Sequence, residues 1–142
     1  MPPLYRLSCA CGACTLELRG EPAARAICHC DACRDLYGAI VLAATAWPGA
    51  QVSHGGEPDA LAVHAHPSRQ MRRYLCRRCG ELIHGTNRFD MVVVPNARVM
   101  RAHGGTLPPA LTPTMHLFYA QRAFDVADDL PKYLEGWDGP MA

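Results

Sequence analysis

Apolar and polar residues alternate over short stretches of this chain, and no helical period survives much beyond two turns. In Thr15–Arg19, Leu16 and Leu18 alternate with Glu17 and Arg19, the period of a strand with one face buried. Met91–Val94, inside a run from Asp90 to Val94, is uniformly apolar and predicts a strand buried on both faces. Further β-type runs are Ala39–Ala46, Leu61–Ala65, Arg72–Leu75 and Met115–Tyr119. Helix candidates are short: Asp31–Tyr37, and Val126–Leu130 ahead of Pro131. Twelve glycines and twelve prolines punctuate the rest, and Ala102–Pro113, AHGGTLPPALTP, reads as a mobile loop. No repeat or shift in composition divides the chain, so residues 1–142 are expected to form one mainly β domain.

Size and charge narrow the function more by exclusion than by indication. A chain of 142 residues buries roughly 70% of the surface its unfolded form exposes and needs no partner to fold. Fourteen basic and thirteen acidic residues leave a formal charge of +1, which argues for neither nucleic acid nor an anionic membrane as partner. The start, MPPLYRLSCACG, has no apolar stretch long enough for a secretory signal, and the longest apolar run, Ala39–Trp47, stops at Pro48. That is far short of the roughly 18 residues of a membrane span. The expected location is therefore the cytoplasm, where thiols stay reduced and structural disulfides are rare. Eight cysteines there need another explanation.

They fall into three groups: Cys9, Cys11 and Cys14; Cys28, Cys30 and Cys33; Cys76 and Cys79. Gaps of one and two residues suit thiolates that converge on one ion about 2.3 Å away. In an extended C-x-C both side chains point the same way, and C-x-x-C wraps the ion in a turn. Gly12 and Gly80, each directly after a cysteine pair, would let such a turn take positive φ and aim backbone N–H groups at sulfur. Thiolate ligands favour zinc over iron. Joining Cys76/Cys79 to Cys9/Cys11 would tie together the ends of a segment of roughly 65 residues. Cys28, Cys30 and Cys33 would then hold a zinc with an open position, as catalytic sites do. Spacing alone leaves an alternative, in which Cys14 completes the second group and both sites are closed and structural.

The segments CACGA (9–13), CHCDACR (28–34), CRRCG (76–80) and DDLPKYLEG (128–136) resemble, in order and spacing, the glutathione-dependent formaldehyde-activating family, from about Tyr5 to Trp137. The resemblance implies an Mss4-like, zinc-binding antiparallel β fold with short helices. It implies that Cys9, Cys11, Cys76 and Cys79 hold a structural zinc. It also implies that Cys28, Cys30 and Cys33 hold a second, catalytic and labile zinc that meets the thiol of glutathione. Two departures bear on substrate: Cys14 stands where an aliphatic residue is usual, and Phe124 where a tryptophan is common.

The expected activity is that of a carbon–sulfur lyase joining a thiol to formaldehyde or a similar small aldehyde, the metal lowering the thiol pKa. A non-catalytic zinc protein that binds a thiol metabolite or a protein partner is the competing reading, and a thiol redox switch is a third. Arg34, directly after the third cysteine, is the candidate for a substrate carboxylate or for offsetting thiolate charge. Arg77 and Arg78 are expected to balance the first centre. His29, between two ligands, is expected to point away from the metal toward backbone or substrate. Cys14 reads as a small buried side chain. His54, His64, His66, His84, His103 and His116 read as packing or surface residues, and Trp47, Phe118 and Tyr119 as core or pocket wall.

Overall fold

The computed structural model describes residues 2–142 and builds two β-sheets from ten strands. β1 (Leu4–Ser8), β2 (Cys14–Arg19) and β5 (Val52–Gly56) form a small antiparallel sheet in the order β1-β2-β5. The larger sheet contains β3 (Ala24–Cys28), β4 (Leu42–Trp47), β6 (Leu61–Ala65), β7 (Arg72–Cys76), β8 (Leu82–Thr86), β9 (Val92–Pro95) and β10 (Met115–Leu117). Its order is β10-β3-β4-β9-β8-β7-β6, antiparallel throughout except for the pairing of β10 with β3. Two helices of seven residues, α1 (Asp31–Tyr37) and α2 (Asn96–Ala102), complete the framework. No helix among the described residues is long and apolar enough to cross a membrane.

One core draws on both sheets. Leu16 and Leu18 from the small sheet meet Trp47, Ile83, Val92 and Val94 from the large one and Val99 from α2, and all are almost completely buried. The alternation in β2 is thus the buried stripe its sequence predicts. β9 corrects the expectation of burial on both faces. Val92 and Val94 enter the core, whereas Val93 is only half-buried, because the opposite face of the sheet at this point borders a cavity instead of a second packed layer.

That opposite face has its own composition. In β3, Ala24, Ala26 and Cys28 lie on it, and in β4, Leu42, Ala44 and Ala46; the register pairs Ala24 with Ala46, Ala26 with Ala44 and Cys28 with Leu42. Further across, α1 seats on Gly85. A Cβ built at Gly85 would lie 2.5 Å from both the Leu36 Cδ2 and the Tyr37 hydroxyl. Glycine is what lets the helix lie this close. The Tyr37 hydroxyl then receives the Gly85 N–H at 2.8 Å and donates to the Val93 carbonyl at 2.9 Å, so it serves two backbone groups of neighbouring strands.

Val126–Leu130, expected to be helical, is irregular. The Asp128 carboxylate accepts the Leu130 N–H at 3.1 Å, a local turn that competes with helix, and Pro131 follows. The Ala102–Pro113 loop is pinned instead of free. Leu111 is fully buried in the core, and Arg25 donates to the Ala110 carbonyl at 2.9 Å.

Candidate metal centres and cavity

The first cysteine centre is made by two turns that lie far apart in sequence, Cys11 and Cys76 being separated by 65 positions. Cys9, after β1, and Cys76, ending β7, are buried, and Cys11 and Cys79 are exposed; their four sulfurs cluster together. The sulfurs of Cys9 and Cys11 are 3.6 Å apart and those of Cys11 and Cys76 are 3.7 Å apart. Four sulfurs arranged tetrahedrally about 2.3 Å from one ion would be about 3.8 Å apart. Gly12 and Gly80 take φ of 79° and 76°, as the turns require. The N–H groups that reach sulfur come from other residues: Cys14 donates to the Cys9 Sγ at 3.3 Å and Cys79 to the Cys76 Sγ at 3.5 Å. Backbone donation from Cys79 and Arg78 lowers the Cys76 pKa, which favours thiolate. Arg78 pairs with Glu57, and Arg101 with Glu81, so these guanidinium groups are held by carboxylates close to the centre.

The second centre forms where β3 ends and α1 begins. Cys28 continues the cavity face of β3, Cys30 caps the N-terminus of α1 through a 3.2 Å bond from the Cys33 N–H to its sulfur, and Cys33 lies in the first turn. Cys28 Sγ is 3.3 Å from Cys30 Sγ and 3.4 Å from Cys33 Sγ. The Cys30 pKa is pulled down by hydrogen bonds from the Cys28 and Cys33 thiols, while Cys33 is pushed up by the same two sulfurs. Three thiolates so close repel one another, and a bound divalent cation is what would let all three ionise. The donor set of both centres fits zinc, and all eight cysteines are free thiols.

Cys14 belongs to the first centre's surroundings and not to the second. It is buried in the core with its side chain against Cys76 and Cys9. Among the described residues no fourth Cys, His, Asp or Glu joins Cys28, Cys30 and Cys33. The alternative of two closed sites completed by Cys14 does not fit this placement.

All three of these cysteines line a cavity of about 340 Å³, floored by the alanines of β3 and β4 with Val93 and Leu117. Its walls include Met71, Phe89, Phe118 and Trp137, and its polar groups include Asp31, Arg69, Asn87, Arg88 and Gln121. Phe118 sits in the left-handed region at φ 54°. Arg88 stacks 4.8 Å from the Phe89 ring centre and makes no ion pair among the described residues, whereas Arg69 lies within 3.7 Å of both Asp31 and Asp35. Arg34 is placed differently from its expected role. Its Nη1 donates to the His29 and Gln121 carbonyls, each at 2.9 Å, and it does not line the cavity. Trp47 is core, Phe118 is cavity wall, and Tyr119 packs edge-on against His29.

The sequence matches the family described as glutathione-dependent formaldehyde-activating enzyme over residues 4–121. The chain belongs to this family. No curated protein matches it. Among solved structures the fold is similar to that of a Rhodobacter sphaeroides protein determined by crystallography, at 24% identity and a TM-score of 0.51, covering 76% of this chain and 97% of that one.

Family membership does not by itself explain a buried chain of polar groups behind the second centre. His29 and His116 are fully buried, with His29 Nε2 2.8 Å from His116 Nδ1, and His116 Nε2 2.8 Å from the Asp128 carboxylate. Lys132 closes the chain at 2.7 Å from Asp128. The carboxylate can only accept, so His116 presents its Nε2–H to Asp128, and the remaining bond joins His116 Nδ1 to His29 Nε2. Burial, then the neighbouring His116, hold the His29 pKa down and keep it neutral. The scattered positions of these histidines gave no sign of the pairing. The signal available was Asp128, in the same DDLPKYLEG segment as Lys132.

Proposed function

We propose that this protein is a zinc-dependent carbon–sulfur lyase that joins the thiol of glutathione to formaldehyde or a similar small aldehyde. The observation that carries the reading is the group of three sulfurs, 3.3 and 3.4 Å apart, lining a cavity with no fourth protein ligand among the described residues. Cys28, Cys30 and Cys33 would hold the second zinc, and Cys9, Cys11, Cys76 and Cys79 a structural one. When bound, the second ion would supply the charge that keeps a substrate thiolate stable at neutral pH. The chain's own part is to position and shield. Cys30, as the cap of α1, fixes the three sulfurs relative to the helix, and Arg34 fastens the same segment through two carbonyls. Arg69 and Arg88, at the cavity, are our candidates for the carboxylates of glutathione, in place of Arg34. The eight free thiols support a reducing, cytoplasmic setting.

The test is a cobalt-substituted protein titrated with glutathione. A change in the sulfur-to-metal charge-transfer bands is expected with glutathione and not with oxidised glutathione, and Cys30→Ser should abolish it. Exchange between formaldehyde and its glutathione adduct, followed near equilibrium, should exceed the buffer rate. Unperturbed bands and a rate equal to buffer would remove the lyase reading and leave a zinc-binding fold.

A further inference from the structure

Glutathione, with its carboxylates at Arg69 and Arg88, accounts for polar groups of the cavity, but neither it nor formaldehyde accounts for the apolar alanine floor. Formaldehyde is close in size to water, whose share of liquid volume is about 30 Å³, against a cavity of about 340 Å³. The space is produced by residue choice. Four alanines, Ala24, Ala26, Ala44 and Ala46, face one another in register across the second and third strands of a seven-stranded sheet, where β-branched residues would ordinarily sit. Cys28 lies on the same face of the same strand, two residues beyond Ala26 and four beyond Ala24. At the rise of a β-strand, the alanine floor therefore runs about 13 Å from the second metal centre. Leu42, Val93, Leu117, Met71 and Phe118 line the same cavity, so apolar groups dominate it, although Asp31, Thr45, Arg69, Asn87, Arg88 and Gln121 line it as well.

We infer that this trough takes the apolar substituent of the aldehyde, so that the substrate class is an aliphatic or aryl-alkyl aldehyde of up to roughly eight to ten carbons, at about 1.3 Å per extended methylene. The inference rests on the proposed lyase chemistry for the reacting end. There the thiol S–H adds across the aldehyde C=O: the S–C bond forms, the C=O π bond opens, and the thiol proton ends on oxygen, with no other reactant. The alanines set how long a chain fits, and the cysteines set where it reacts.

S-alkylglutathiones imitate such adducts without reacting, and calorimetric titration of the zinc-loaded full chain with the S-methyl to S-octyl series reads the trough directly. Affinity should rise about threefold to fourfold per methylene until the trough is full. Ala44→Val, opposite Ala26 and nearer to Cys28 than Ala46 is, should end the rise after the first few carbons, and Ala46→Val should end it later. Both substitutions suit a strand, and unchanged melting would show that each variant folds. Equal affinity along the series, or a rise that neither folded variant shortens, overturns the inference while leaving glutathione binding in place. If glutathione and its derivatives do not bind at all, the lyase reading falls and the trough is still read, by quenching of the cavity-lining Trp137 with hexanal against propanal. Equal quenching by the two would then overturn it.

Discussion

Replacing Cys79 by serine should destabilise the zinc-loaded protein by at least about 4 kcal/mol, and replacing Cys30 by serine should cost less than half as much. The difference comes from what each centre ties together. Cys11 and Cys76, whose sulfurs touch in the first centre, are 65 residues apart. Closing a loop of that length removes about 14.5 cal/mol/K of chain entropy, or about 4 kcal/mol at 25 °C, and metal binding confined to the folded state adds to it. Cys28 and Cys33 are only five residues apart. The same relation gives at most about 2 kcal/mol, and an unfolded chain can present such close ligands nearly as well. Serine at position 30 also keeps a side-chain oxygen to cap α1. For a chain of this length the melting temperature should fall by roughly 12 °C or more for Cys79→Ser and by a few degrees for Cys30→Ser. Circular dichroism melts with zinc content measured on each variant supply the comparison. Equal losses from the two changes would refute the division into a structural and an open centre.

Acid should weaken the fold through His84. It is fully buried, bonded to His54 and to the Gly85 carbonyl, and burial holds its pKa at about 4 against an ordinary 6.5. The unfolded chain takes up the proton first, so stability is intact above pH 6.5 and falls as pH drops toward 4. The loss should be about 2 kcal/mol between pH 7 and pH 5, and urea midpoints for His84→Phe that keep the same pH slope would contradict this. His116→Leu should cost about 1–3 kcal/mol by leaving the buried His29 Nε2 without a partner. Combined with Asp128→Asn it should cost less than the sum of the two single changes, whereas strict additivity in denaturant melts would show that the buried chain is not one network. Tyr37→Phe should cost a similar 1–3 kcal/mol, because it leaves the Gly85 N–H and the Val93 carbonyl unpartnered in a buried place. A neutral result would mean those groups find other partners.

The cysteine spacing pointed to the two groups that could hold a metal because ligand geometry is local: Cys28 and Cys30 converge as extended backbone dictates, and Cys76 and Cys79 as a turn does, whereas Cys9 and Cys11 converge through a turn and not through the extended strand expected of a C-x-C. Amphipathic β2 and α1 were legible for the same reason, each being shaped by neighbours in sequence. Strands β1, β3, β5 and β8 and helix α2 were not picked out. Each is short, and its stability comes from pairing or packing with distant residues, as Val99 of α2 does in the core. The cavity was invisible for a related reason: alanines on alternate positions of β3 and β4 mean little until the register sets them opposite one another. Arg34 shows the converse. Its place beside the third cysteine suggested substrate, but the fold turned two backbone carbonyls toward it first.

The seat of α1 on Gly85 links two distant choices of residue. The helix carries Cys33, Leu36 and Tyr37, and the latter two press against the bare Cα of the strand. A methyl group added at position 85 would meet them before any sulfur moved, and the helix would have to lift, taking Cys33 away from Cys28. Such a change would alter the candidate metal centre without touching any of its cysteines, and trimming Tyr37 or Leu36 should relieve it. In any set of tolerated variants, bulk at position 85 should therefore appear only where bulk at 36 or 37 has been lost, so that strand and helix share one fixed volume between them.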